Sequence, residues 1–347
     1  MECDLRLVIA LLVYATSCDA KHESHAHRCV PGSELFVCML ARFDYQPGQD
    51  IPLFELPADV KAIRFVEPFY NIHDNENTIH MYDGILHRQL NSPQAVELTG
   101  SYMTSVEIPS NLEYADFSDN NIDRLHVPAD QPYALRLLDL NHNRNLQVEN
   151  ISRLVNLETL HLSSCYMETL PVNLFENLNR LTHLTLANNN LHKIDLNWFP
   201  MSLTLLRLDQ NWMTEFHFSG TARLPLLEDL NIEYNDLTAI DINALVETVP
   251  KLRLFSIGRN PLKRTELSSI VDELNRRNIA YYNMEETRDQ QCGEDEHYFR
   301  GVCMPASAFA LGWVEWVEMI VFVIVLAVLA IGIAFGARLL WKRFYAS

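Results

Sequence analysis

The 347 residues hold only 7 cysteines and 11 glycines, and 27 basic side chains stand against 45 acidic ones, for a formal net charge of −18. A glycine-rich phosphate loop, a Gly-x-Ser-x-Gly nucleophile turn and a spaced His/Cys metal set are all missing. Without such a constellation the sequence points away from catalysis, and neither cofactor nor metal is expected. The acidic balance makes nucleic acid or an anionic polysaccharide a poor ligand, because recognising phosphate or sulfate needs clustered Lys and Arg. A basic or neutral partner is expected instead. His22, His25 and His27, beside Glu23, come nearest to a metal-ligating group, but they read as part of a processed, mobile chain end.

What the chain does have is one phrase repeated along its middle, Leu-x-x-Leu-x-Leu-x-x-Asn-x-Leu. It runs through Leu112, Ala115, Phe117, Asn120 and Ile122, then Leu135, Leu138, Leu140 and Asn143. It returns at Leu157, Leu160, Leu162, Cys165 and Met167, and again at Leu181, Leu184, Leu186, Asn189 and Leu191. Three further copies begin at Leu203, Leu227 and Leu252. Self-similarity at a period of about 22–25 residues is the leucine-rich repeat signature. Each copy supplies one short parallel strand and shares its apolar column with its neighbours, since no repeat can bury that face alone. The Asn of each copy sits where the chain leaves the strand, and its amide can satisfy backbone groups of the turn. Cys165 takes that place once, as a structural residue. Phe175, in the long form of that repeat, is expected on the convex side.

Two weaker copies lie upstream, around Val60, Ile63 and Phe65 and around Val96, Leu98 and Met103. The stretch 71–92 between them holds either an insertion or a degenerate repeat. Past the last copy, Leu267, Ile270, Val271 and Leu274 form one helical stripe, read as a lid over the final repeat with Thr265 as its N-cap.

The chain ends carry further signals. Leu7 to Tyr14 has the length of a signal-peptide core. Met319 to Ala337 is free of charge, with Glu315 and Glu318 before it and Arg338, Lys342 and Arg343 after it. That pattern predicts a membrane-spanning helix with its C-terminal side in the cytoplasm. Cys29 with Cys38, and Cys292 with Cys303, are expected as disulfides covering the two exposed ends of the solenoid, in keeping with an oxidising compartment. Asn150-Ile151-Ser152 is the single glycosylation sequon, so Asn150 is the candidate glycan site.

The expected fold is α/β, a curved leucine-rich repeat solenoid with a parallel β-sheet on its concave face, cysteine caps and one transmembrane helix. Its parts are a signal peptide over 1–20, an N-terminal cap over 21–59, repeats over 60–262 and a C-terminal cap over 263–303. A membrane-proximal linker over 304–316, the membrane helix over 317–340 and a cytoplasmic tail over 341–347 complete it. Localisation is expected at the plasma membrane, single-pass type I, with the repeats extracellular.

On each strand the residues between the core leucines point outward, which yields a candidate ligand-binding set of Tyr114, Asp116, Asp139, His161, His183, Arg207, Asp229 and Glu233. Mixed charge among aromatic and aliphatic outcrops suits a protein ligand better than a polymer of one charge sign.

With the repeats, their bounding cysteines and the apolar C-terminal segment taken together, the chain resembles the extracellular leucine-rich repeat membrane proteins. Among these it is most similar to the insect leucine-rich immune proteins, in their transmembrane subgroup. The resemblance implies a cell-surface recognition protein or co-receptor binding an extracellular or membrane protein ligand, with innate immunity as a candidate setting. Homophilic or matrix cell adhesion is the alternative, and homo- or hetero-dimers are open to either. No heptad segment follows the repeats, so the coiled-coil pairing of the soluble immune members is not implied. Seven residues after Leu340 do not accommodate a Toll-type signalling domain.

Overall fold

The computed structural model describes residues 27–31, 37–66, 78–218, 223–281, 292–309, 317 and 320–334. Its main feature is an eleven-stranded sheet whose strands follow one another in chain order. Val37–Ala41, Ala62–Val66, Ala95–Glu97, Tyr114–Asp116 and Leu137–Asp139 run parallel in successive rungs. Thr159–His161, His183–Thr185, Leu205–Arg207, Asp229–Asn231 and Leu254–Ser256 continue the ladder. At the N-terminal edge Val30–Pro31 pairs antiparallel with Val37–Ala41.

The central residue of each three-residue strand points inward, as period-two alternation requires. Leu138, Leu160, Leu184, Leu206, Leu230 and Phe255 are all buried. The second apolar position, held by Phe117, Leu140, Leu162, Leu186, Leu208, Ile232 and Ile257, is buried too, so a continuous column runs the length of the solenoid. The convex side is built from short pieces. Met81–Tyr82, Ser105–Glu107 and Arg124–His126 make a three-stranded sheet, and Lys193–Asp195 pairs with Glu215–His217. Phe175 is fully buried there and stacks on Phe199 at 5.5 Å.

A buried ladder of Asn120, Asn143, Asn189, Asn211, Asn235 and Asn260 stitches the repeats together. Asn189 is representative. Its Nδ2 donates to the carbonyls of Leu162 and Leu186 at 2.8 and 3.0 Å, while its Oδ1 accepts from the amides of Cys165 and Met167. The residue just before each ladder position is left-handed. Asp119, His142, Ser164, Asn188, Gln210, Tyr234 and Arg259 have φ between 52° and 60°. Residues with a Cβ adopt that conformation at a cost, which the ladder hydrogen bonds offset.

The stretch 71–92 resolves into one long repeat over the part that is described. Ala62 registers with Ala95, and the chain between them carries Met81–Tyr82 and a convex helix, Gly84–Gln89 (α1). Asp83 caps α1, accepting from the amides of Ile85 and Leu86, and the Tyr45 hydroxyl donates to the same carboxylate. His87 of α1 is buried, hydrogen-bonded to the Tyr82 hydroxyl at 2.7 Å and to Asn111 Oδ1 at 2.9 Å. Burial lowers its pKa below 6.5, opposed by the Asn111 hydrogen bond and aided by Arg88. His87 is thus neutral in the fold and takes up a proton more readily once unfolded. Stability is expected to fall as pH drops through about 6.5, and so to be lower at about pH 5.5 than at about pH 7.5. Urea unfolding at those two pH values should show a smaller loss for His87→Gln than for the native chain. Equal losses would take His87 out of the acid response.

At the C-terminal end, Ile242–Thr248 (α2) lies on the convex side, and Arg264–Arg276 (α3) lays Leu267, Ile270, Val271 and Leu274 over the last repeat. Thr265 is not the N-cap. The N-cap lies two residues earlier, at Lys263, which makes no side-chain capping bond. A hairpin of Glu296–Phe299 and Val302–Pro305 closes the end, with Val302 and Met304 buried. It docks against Gly258, where an added Cβ would lie 2.7 Å from Glu233 Oε1 and 3.5 Å from the Cys303 carbonyl. The Arg259 amide donates to that same carbonyl at 2.7 Å.

Cys29 is bridged to Cys38, and Cys292 to Cys303, with Cα separations of 5.3 and 5.5 Å. The first bridge ties Cys29 beside the edge strand, and the second ties the closing hairpin. His27 falls inside this ordered cap. It sits in His27–Arg28, paired with Phe54–Glu55, and packs on Phe43 at 5.0 Å, while His22, Glu23 and His25 lie outside the described residues. The signal-peptide reading over 1–20 and the tail over 341–347 also fall outside them.

The membrane-spanning expectation is corrected. Among the described residues no helix is long and apolar enough to cross a membrane. Within the expected span the described helical residues are 317 and 320–334. The transmembrane element of the fold, the single-pass type I placement at the plasma membrane and the membrane-spanning character of its partnerships therefore do not hold. Both disulfides still belong to an oxidising, extracellular compartment.

Candidate ligand-binding face

The strand register sorts the outward side chains into columns. One column reads Arg64, Glu97, Asp116, Asp139, His161, Thr185, Arg207, Asn231 and Ser256 across successive rungs. Beside it run Ala62, Ala95, Tyr114, Leu137, Thr159, His183, Leu205, Asp229 and Leu254. Seven of the eight residues expected at the site therefore stand in two adjacent columns. Glu233 lies two residues past its strand, in a third column with Ser118, Asn141 and Asp209. Rungs are about 4.8 Å apart, so Asp116 and Arg207 are separated by roughly 19 Å along one line.

Several of these side chains serve the fold as well as the surface. Asp116 Oδ1 accepts from the Ser118 amide and hydroxyl, Asp139 Oδ1 from the Asn141 amide, and Asn231 Oδ1 from the Glu233 amide. The shared i to i+2 geometry is the Asx turn that Asp and Asn favour. Asn141 Oδ1 in turn accepts from the Ser163 amide at 2.6 Å. The signal was present in the sequence as Asp116, Asp139 and Asn231, each two residues before a third-column position, but it is indistinguishable there from ordinary strand polarity.

Charge is graded along the face. Burial raises the pKa of Asp139, against the Asn141 hydrogen bond and the nearby His161, with Asp116 and Asp119 raising it further. His161 Nδ1 lies 3.0 Å from the Thr185 hydroxyl, and His142 Nδ1 lies 2.6 Å from Asp119 Oδ1. Arg207 Nε donates to Asp209 Oδ1 at 2.9 Å. Asp229 has its pKa raised by burial, countered by Arg207 and reinforced by Asp209. Arg207, paired with Asp209, thus stands as a cation between an acidic stretch from Glu97 to Asp139 and an acidic C-terminal patch of Asp229 and Glu233. Tyr114 is fixed by Arg136, whose guanidinium donates to the tyrosine hydroxyl at 3.1 Å and pairs with Glu158.

An exposed row at the edge of the face escaped sequence reasoning. Tyr102, Tyr166 and Trp212 each follow a ladder position and are exposed, and Arg144 lies 5.0 Å over the Tyr166 ring. Other repeats place Asn121, Asn190 and Asp236 there, so the aromatics stand out only when the copies are aligned. Nearer the C-terminal cap, Arg259 stacks over Tyr234 at 4.5 Å and pairs with Glu296 at 2.8 Å.

Asn150 lies away from this face, in the convex 3-10 turn Glu149–Arg153. Its Nδ2 donates to the Leu125 carbonyl at 2.9 Å, a bond that a singly glycosylated amide can keep with its remaining hydrogen. Cys165 is the one free cysteine among the described residues, and burial pushes its thiol up to about 11.

The Leucine Rich Repeat family model matches residues 156–178. Among curated proteins, Tsukushi of Xenopus tropicalis is 30% identical over 183 residues, which is 50% of this chain and 50% of that protein. Podocan of Mus musculus is 28% identical, covering 53% of this chain and 31% of its own. The chain thus spans half or less of these relatives' lengths. Among solved structures, the leucine-rich repeat domain of APL1B is similar with a TM-score of 0.49 at 18% identity, covering 71% of this chain and 72% of that one. The expected likeness to a transmembrane subgroup of insect immune proteins is corrected accordingly. Sequence similarity runs to Tsukushi and Podocan, and among the described residues no membrane-crossing helix is present. The described residues form a leucine-rich repeat solenoid with a concave ligand-binding face, a scaffold for binding and not for catalysis.

Proposed function

We propose that the chain is an extracellular adhesion module, which uses its concave face to bind either a second copy of itself or a matrix protein. The observation that carries this reading is the unbroken outward column Asp116, Asp139, His161, Thr185 and Arg207, flanked by Tyr114, Leu137 and Leu205. Alternating charge among apolar outcrops gives a surface specific for protein, and a face that is acidic, then basic, then acidic can meet its own kind in an offset pairing. The disulfide-tied ends suit an oxidising extracellular setting. An immune recognition role is the less favoured reading, because nothing on the face singles out a microbial or signalling ligand.

The test is a bead assay with the full chain. Coated beads are expected to clump with one another or to be retained on a surface coated with solubilised matrix protein. Beads that do neither, while the coating chain remains folded, would remove adhesion as the function.

A further inference from the structure

The concave face is not uniform along its length. At its N-terminal end lies a hollow of about 240 Å³, lined by Val37, Ala62, Ala95, Tyr114 and Leu137 with Arg64, Glu97 and Asp116 on its rim. The cause is side-chain size within one column. Ala62 and Ala95 occupy two successive rungs where Tyr114 and Leu137 occupy the next two, so the surface drops and then rises. Its far wall is held rigid by Arg136, which donates to the Tyr114 hydroxyl and is itself paired with Glu158. At ~300–1,000 Å³ a small-molecule site is larger, so this hollow fits one side chain and not a cofactor.

The rim charges decide which way an occupant lies. Arg64 pairs with Glu97 at 2.6 Å, so that side of the hollow is balanced. On the other side Asp116 and Asp139 are register partners on neighbouring strands, and the Asp116 carboxylate disfavours charge on Asp139. Their hydrogen bonds are the local ones to Ser118 and Asn141, and no cation is paired with either among the described residues. A cation arriving there would relieve their repulsion.

We infer that this hollow anchors an aliphatic side chain of the protein ligand, and that Asp116 and Asp139 hold a Lys or Arg two residues further along the same segment. In an extended peptide, side chains at i and i+2 share a face and lie roughly 6.6 Å apart. An anchor seated on the Ala95 rung therefore places its i+2 partner between the rungs of Asp116 and Asp139, one column to the side, and the roughly 6.6 Å across to that column is within reach of a Lys or Arg side chain. The balanced Arg64–Glu97 side offers no such attraction to the reverse orientation. This assignment rests on the concave face being the binding face, and it adds the chemistry of the segment recognised there.

Panning a displayed random-peptide library over the immobilised full chain tests it. Enrichment of an aliphatic-x-Lys/Arg pattern is expected. The dissociation constant of a selected peptide should rise about tenfold or more for Ala95→Trp, the loss expected for excluding one buried aliphatic group. Ala95→Val narrows the hollow with little risk to folding and should give a smaller rise in the same direction, and Asp116→Asn with Asp139→Asn should erase the preference for the basic residue. No enrichment, or enriched peptides without the pattern, would overturn the inference. Peptides weakened by Arg207→Ala but indifferent to both Ala95 variants would overturn the hollow while leaving the concave face in place. Peptides indifferent to all of these changes would overturn both.

Discussion

Replacing Asn143 by Ala is expected to lower the unfolding free energy by about 3 kcal/mol. Asn143 is fully buried. Its Oδ1 accepts from the Ile122 amide at 2.9 Å, and its Nδ2 donates to the carbonyls of Phe117, Leu140 and Asn141 at 2.9, 3.0 and 3.3 Å. Alanine strands the Ile122 amide in a dry interior and takes one donor from each carbonyl, of which Phe117 keeps Asn120 and Leu140 keeps the Cys165 thiol, and a buried group left unpaired costs about 1–3 kcal/mol. The damage spreads across two repeats, because the bonds run to the preceding turn as well as its own. Cys165 supplies the internal comparison. Its thiol donates weakly to the Leu140 carbonyl at 3.3 Å and fills the place of an Asn. Cys165→Ala should therefore cost only about 1 kcal/mol. Denaturant unfolding of the two variants side by side measures the difference, and equal losses would show that the ladder is not what joins the repeats.

Opening the C-terminal bridge with Cys292→Ser and Cys303→Ser together is expected to cost about 2–3 kcal/mol, the entropy of a closed loop of this length. Loop entropy is only part of the consequence. The bridged hairpin holds Val302 and Met304 buried and carries the carbonyl that receives the Arg259 amide. A solenoid's terminal repeat has no neighbour to cover its core, so loosening the cap should let the last rung fray first. Amide exchange in Leu254–Ser256 should accelerate in this variant while exchange in Thr159–His161 stays as it was. Uniform acceleration over both strands would mean that the bridge stabilises the chain as a whole and does not act as a local cap.

The repeat period made the strand positions readable before any coordinates, because Leu138, Leu160 and Leu184 recur at the spacing that one buried column demands. Its reach stopped where the spacing changed. The long repeat between Ala62 and Ala95 hides its register, since α1 takes up residues that elsewhere form a brief return. Val37–Ala41 went unseen as a rung because only Cys38 and Leu40 mark its inward face. At the other end hydropathy equated a run of apolar residues with a bilayer span, whereas among the described residues no helix is long and apolar enough to cross a membrane. Of the binding face, the two columns followed from alternation alone. The hollow beside Tyr114 did not, because an alanine acquires meaning as a depression only when its neighbours in the sheet are known. Equally hidden were the Asx turns of Asp116 and Asp139, whose polarity looked like that of any exposed strand residue.

The most direct test of the central claim, that the concave face is where this protein binds, compares two variants in the bead assay. One carries Asp139→Ala, His161→Ala and Arg207→Ala on the concave column, and the other carries Lys193→Ala and Glu215→Ala, which break an exposed convex ion pair. The triple change is expected to weaken clumping or matrix retention tenfold or more, on the order of 1.4 kcal/mol, with the convex pair leaving it unchanged. Full binding by the triple variant, or its loss in the convex one, would contradict the account.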